Sequence, residues 1–196
     1  ALMREYFRGG QSFFVVPRIS DIGKIHDFLR ENLSELKIGI AHGQMSSGTL
    51  DETMSSFYDH QYDVLLATSI IESGLDIPSA NTLIVYKAEQ FGLAQLYQIR
   101  GRVGRSKVRA YAYLITDNQK PITSQAEKRL KVLSNIESLG SGFALASQDL
   151  DIRGAGNLLG DEQSGQIREV GYELYQSMLE EAISKIRNSD DETFEE

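Results

Sequence analysis

The stretch QLYQIRGRVGR, residues 95–105, decides how this chain is read. Gln98, Arg102 and Arg105 fit the spacing Q-x-x-G-R-x-G-R. Guanidinium groups are planar donor forks whose charge persists at neutral pH, so two of them at fixed spacing suit a phosphate. Gly101 and Gly104 let the backbone approach such a group closely. An arginine-rich helix end is most often a solvated basic surface. The glutamine and both glycines in register favour the phosphate instead.

The sequence lacks the other half of such a site. It contains no G-x-x-x-x-G-K-[ST] loop to cradle phosphates and no D-E-x-[HD] segment to supply acids for magnesium and an attacking water. The chain therefore reads as one half of a two-part nucleotide site. Its start at Ala1 rather than Met points to an excised piece of a longer protein.

Working outward, apolar runs alternate with helical patterns. SFFVV at 12–16 reads as a buried strand ended by Pro17. Ser20 or Asp21 is placed to cap a helix carrying Ile22, Ile25, Phe28, Leu29 and Leu33 on one face. A strand at 37–41, a polar turn HGQM at 42–45 and a helix at 46–60 with Leu50, Met54, Phe57 and Tyr58 follow. DVLLA at 63–67 and TLIVY at 82–86 are strands bracketing TSIIESGLDIPSAN. A helix over 93–100 and a closing strand AYAYLI at 110–115 complete an α/β unit. Strands alternating with helices imply a mainly parallel sheet sandwiched by helices, of RecA-like (P-loop NTPase type) or Rossmann-like layout.

The rest has another texture. A helix at 126–139 and a shorter one at 143–150 form a helical hairpin, then comes the glycine-rich loop DIRGAGNLLGDEQSGQ and a long amphipathic helix at 170–186. The expected division is a lobe at 1–118, a second module at 119–187 and an acidic, solvated tail at 188–196.

Composition sets bounds. The 196 residues, 41% of them apolar, suffice for one α/β domain and an appendage. No apolar run is long enough to span a membrane. The absence of cysteine removes disulfides and thiolate metal sites and fits a reducing compartment. His26, His42 and His60 show no ligand spacing, so no metal site is expected. A net charge of −8 counts against a surface devoted to nucleic acid, yet Arg100, Arg102, Arg105, Lys107 and Arg109 follow one another with no acid between.

Ligands of such sheets bind outside the carboxyl ends of the strands. The loop 68–78 leaves DVLLA at that end and is expected beside the arginine motif. Thr68 can offer a hydroxyl to a phosphate, Gly74 an unusual backbone angle, and Asp76 an acceptor for a ribose.

ATSIIESGLDIP and QIRGRVGR resemble motifs V and VI of superfamily 2 helicases, both carried by the second RecA-like lobe. This resemblance implies ATP, with Mg2+, bound mainly by a first lobe of the same parent chain. It implies that Gln98, Arg102 and Arg105 reach its phosphates, the arginines acting on developing charge. Gly74 and Asp76 would then lie near the ribose. Thr68 and Gly43, the latter in HGQM, would contact nucleic acid; His42 is as readily a structural hydrogen-bonding residue. The carboxyl-terminal third, DLDIRGAGNLLGDEQSG, resembles the translocation module shared by fork-reversing helicases of the RecG type and transcription-repair coupling factors. EQSG and EVGYELYQSMLEEAI resemble the second group. By that likeness the parent is a bacterial, cytoplasmic translocase on double-stranded DNA. It would meet RNA polymerase and an excision-repair protein through domains outside this chain, and no membrane. Arg153, toward DNA or the hairpin, and Gln163 would couple lobe closure to movement, although Arg153 could simply pair with Asp149 or Asp151. A fork-reversing helicase and a non-catalytic module binding DNA or a partner are the alternatives.

Overall fold

A computed structural model describes residues 1–68, 77–117 and 121–135. All belong to the first of two units into which the chain divides, Ala1–Asp149 and Leu150–Glu196. The elements are α1 (Leu2–Phe7), β1 (Gln11–Val15), α2 (Ile19–Asn32), β2 (Ile38–Ala41), α3 (Ser47–Tyr58), β3 (Val64–Ala67), β4 (Ala80–Tyr86), α4 (Leu93–Arg100), β5 (Tyr111–Ile115) and α5 (Ser124–Asn135). A single 3-10 turn, Ala88–Gln90, precedes α4.

The five strands form one sheet in the order β2-β3-β1-β4-β5, and every pairing is parallel. Side-chain chemistry explains the order. All residues of β1 (QSFFV) and β3 (VLLA) are buried, as are the first six of β4 (ANTLIVY). Strands covered on both faces read as continuous apolar runs. Of the outer strands that close the two sides of the sheet, β2 alternates half-buried with buried residues, and no residue of β5 is buried.

One face packs Phe14, Val16, Val64, Leu66 and Ile84 against Leu2 of α1 and Ile22, Ile25 and Leu29 of α2. On the other face Phe13 meets Phe57 of α3, with ring centroids 5.4 Å apart. No helix among the described residues is long and apolar enough to cross a membrane.

Three local expectations change. Helix α2 begins earlier than expected, with extended Arg18 at its N-cap and no side-chain cap bond. Asp21 therefore lies in the first turn, and its Oδ1 accepts from Lys87 Nζ at 2.9 Å. Phe28 is 58% exposed, because at about 100° per residue it falls roughly 90° from the centre of the Ile22–Ile25–Leu29 stripe. Tyr58, one residue past buried Phe57, is likewise exposed. Helix α1 has no counterpart in the sequence reading.

Helix α5 is the described part of the segment that follows the sheet. It docks on the turn before α4 and on α4 itself. Arg129 Nη2 donates to Glu89 O at 3.1 Å, and Arg100 Nη1 to Leu133 O at 3.5 Å. The rest of the expected hairpin, the glycine-rich loop and the long helix at 170–186 lie outside the described residues.

Candidate functional site

Because every pairing is parallel, all strands end at one edge of the sheet and begin at the other. The register aligns Ala41, Ala67, Val15 and Val85 in one row at the carboxyl edge. His42, Thr68, Val16 and Tyr86 come next in the chain. The amino edge carries Ser79 and Asn81 at the start of β4 and the loop 101–110 that leads into β5.

The arginine motif is built by α4. Leu93, Leu96 and Ile99 are buried at helical spacing, which turns Gln98 to the exposed side one turn before Arg102. The helix stops at Gly101, whose φ of −66° is open to any residue. Two further turn bonds, Arg102 N to Ile99 O (3.1 Å) and Val103 N to Arg100 O (3.3 Å), continue the winding. Buried Val103 then anchors the loop between the two arginines. Gly104 reverses the chain at φ +81°, a left-handed conformation that L side chains rarely adopt, and a Cβ there would stand 3.2 Å from that of Ala110. Of the two glycines of the motif, Gly104 is the one whose conformation demands glycine. Arg105 Nε donates to Gly101 O at 3.0 Å, which holds the exposed side chain against the helix end.

Thr68 and Gly43 follow neighbouring strands at the opposite edge. Thr68 is 8% exposed, and its N–H donates to Ala41 O at 3.3 Å. Gly43 sits in a tight turn closed by Met45 N to His42 O at 3.1 Å and by His42 N to Met45 Sδ at 3.3 Å. His42 is half-buried, and its Nδ1 is enclosed without a hydrogen-bond partner among the described residues. Lys87, also just past a strand end, adopts left-handed φ 51° and ψ 52°. Its ammonium pairs with Asp21 and lies 5.1 Å from the Tyr86 ring centroid. The hydrogen bond to Asp21, opposed by desolvation and aided by the same carboxylate's charge, raises the Lys87 pKa above its ordinary value of 10.5.

Gly43 and Thr68 are thus brought together, and so are Gln98, Arg102 and Arg105, but on opposite edges. The loop 68–78 leaves β3 at the carboxyl edge as expected, at Thr68, and its far end comes at Ile77 to the amino edge, which carries the arginines; residues 69–76 lie outside the described residues. At the amino edge Asn81 Nδ2 donates to Ser79 O at 3.1 Å, and Ser106 Oγ donates to Asn81 Oδ1 at 2.9 Å. Gly74, Asp76, Arg153 and Gln163 lie outside the described residues.

Sequence reasoning missed the polar residues of the amino edge. Glu5, Gln11, Asn81 and Thr82 are each 4% exposed or less. For Gln11, Asn81 and Thr82 the signal was present as polar side chains at the head of otherwise apolar strands, whereas Glu5 lies in α1.

Comparison with known proteins places this geometry. The model of the helicase conserved C-terminal domain matches residues 1–107. The transcription-repair-coupling factor of Rickettsia prowazekii (strain Madrid E) is 55% identical over 188 residues, 96% of this chain and 17% of that protein. That of Escherichia coli (strain K12) is 48% identical over 187 residues, 95% of this chain and 16% of the relative. The chain therefore spans about a sixth of the length of these relatives. Among solved structures, RecG bound to a three-way DNA junction aligns at TM-score 0.67 with 36% identity, covering 84% of this chain and 21% of that one. The C-terminal domain of the DEAD-box protein Dbp5, at TM-score 0.52 and 19% identity, shares the fold. With its parallel RecA-like sheet and its arginine motif in place, the chain belongs to the helicase conserved C-terminal domain family.

Proposed function

We propose that this chain is the second motor lobe of an ATP-dependent translocase on double-stranded DNA that displaces stalled RNA polymerase and couples transcription to excision repair. The observation that carries the motor reading is the loop 101–110. It presents Arg102 and Arg105 at the amino edge on a backbone fixed by Val103 and Gly104, in a chain with no phosphate-cradling loop of its own. Fork-shaped cations on a fixed backbone fit a phosphate donated by another lobe.

In this reading ATP, with Mg2+, is held mainly by a first RecA-like lobe of the same parent protein. Arg102 and Arg105 stabilise the charge that develops on the transferred phosphoryl group, and Gln98 hydrogen-bonds beside them. Gly74 and Asp76, just before the chain re-enters at Ile77, serve the ribose. Thr68 and Gly43 contact DNA phosphates at the carboxyl edge. Arg153 and Gln163 couple closure of the lobes to movement along DNA. RNA polymerase and the repair protein bind domains outside this chain, in the bacterial cytoplasm. Identity of 46–56% to transcription-repair-coupling factors along nearly the whole chain supports the polymerase-directed version. The alignment with RecG favours a second reading, regression of replication forks by the same motor chemistry.

The test uses the full-length protein, ATP and RNA polymerase stalled on duplex DNA. Release of the polymerase that Arg105→Ala abolishes is the expected result. Failure to release it, with ATP-driven regression of a model fork instead, would replace the first reading by the second.

A further inference from the structure

Resting on the assignment of Arg102 and Arg105 to phosphate, we infer that Asn81 and Ser106 are positioning residues that hold the arginine loop in register, with Arg8 as a second tie. Ser106 immediately follows Arg105 in the chain. Its hydroxyl donates to Asn81 Oδ1 at 2.9 Å and accepts from Val108 N at 3.2 Å, so it closes a local turn and anchors that turn to β4. Asn81 is only 4% exposed, and its amide donates to Ser79 O at 3.1 Å. The same carbonyl accepts from Gln11 N at 2.8 Å. The Gln11 side chain in turn donates to Phe57 O at 2.6 Å and Tyr62 O at 2.7 Å. Ser106 is thereby bonded, through buried amides, to β4 and to β1 at the centre of the sheet.

The second tie lies at the far end of the loop. Arg8 Nη2 donates to Arg109 O at 2.9 Å and to Glu5 Oε2 at 2.6 Å. That carboxylate oxygen also accepts from Thr82 Oγ1 at 2.6 Å. Arg4, Arg8 and Arg109 all stand within 5.4–5.7 Å of the Tyr111 ring centroid, where cation–π attraction holds them at the first residue of β5. Gly10 makes room for Glu5, since a Cβ there would fall 1.8 Å from its Oε1. One loop is thus fastened at Val103, Ser106 and Arg109, with its two phosphate-facing arginines at Arg102 and Arg105.

A single neutral hydrogen bond contributes little to folding, whereas catalysis by a positioned group falls steeply with small displacements. Loss of the Ser106 tie should therefore lower turnover rather than stability. In the full-length protein, Ser106→Ala is expected to reduce kcat for DNA-stimulated ATP hydrolysis about tenfold, with KM for ATP changed less than about twofold. Ser106→Thr, which keeps a hydroxyl, should restore most of the loss, and the thermal midpoint of Ser106→Ala should stay within about 2 °C of the wild type. Wild-type kcat in Ser106→Ala, in a protein whose Arg105→Ala variant has lost turnover, would overturn this inference and leave the phosphate role standing. A fall that threonine fails to restore, or one matched by a large drop in thermal midpoint, would also overturn it. Retained turnover in Arg105→Ala would remove the phosphate role and, with it, the purpose of the clamp.

Discussion

The two edges of the sheet are built from the same strands yet display different chemistry. At the carboxyl edge the chain offers a hydroxyl (Thr68), an exposed glycine turn (Gly43) and an ammonium restrained by a carboxylate (Lys87 with Asp21). At the amino edge it offers guanidiniums on a loop fastened to a buried amide network. Small groups and backbone suit a long, repetitive polyanion that must slide past. Rigid forks suit one phosphoryl group at one moment of a reaction. The difference teaches that a parallel sheet can keep two sets of anion-seeking groups apart, one for DNA and one for the nucleotide in the proposed motor. Whatever follows a strand goes to one edge, and whatever precedes the next goes to the other.

The largest expected effect tests that separation directly. In the full-length protein, Arg102→Ala should lower ATP turnover at least about a hundredfold while DNA affinity stays within about twofold. Steady-state hydrolysis and a DNA-binding titration on the same preparation measure both. An equal loss of DNA affinity would break the division between the edges.

Thr68→Ala should do the converse and more weakly. Losing one hydrogen bond worth about 1 kcal/mol weakens DNA binding roughly three- to tenfold and leaves hydrolysis without DNA unchanged. A parallel loss of DNA-free turnover would place Thr68 in the nucleotide machinery instead.

The smallest effect concerns the Lys87–Asp21 pair. Lys87 has its pKa raised by the hydrogen bond to Asp21, so the pair's contribution is fully present below the unfolded value of 10.5 and is lost as pH rises through the higher folded value. Lys87→Met should lower the thermal midpoint by a constant margin from about pH 7 to pH 9, and the margin should shrink above the lysine range. A margin that grew with rising pH would contradict the pairing.

Much of the lobe was legible because its strands are apolar and its helices keep a stripe. Helix α4 occupies 93–100 as expected, and each expected strand lies within a residue or two of its observed position. Helix α1 was missed because LMREYF buries only Leu2 and Glu5, and a buried acid defeats a pattern read from hydrophobicity. Phe28 and Tyr58 were assigned inward from residue type, although their angular positions turn them out. The edge on which each motif lies could have been read earlier. QIRGRVGR comes before its strand and Thr68 after its own, and in an all-parallel sheet that suffices to place them apart. Which loop atoms meet Asn81 or Arg8 was not legible, since hydrogen bonds of this kind depend on register rather than on residue spacing.

The buried middle strands have a mechanical consequence. Strand β4 runs seven residues, roughly 20 Å at about 3.3 Å each, between the arginine edge and the edge that carries Thr68. Close-packed interiors compress little, and β1, β3 and β4 are enclosed on both faces over nearly their whole length. A push at one end of these strands therefore cannot be absorbed by bending between them. In the proposed motor the lobe would act as a stiff strut, a shift at the arginine loop swinging the opposite edge as part of one solid piece.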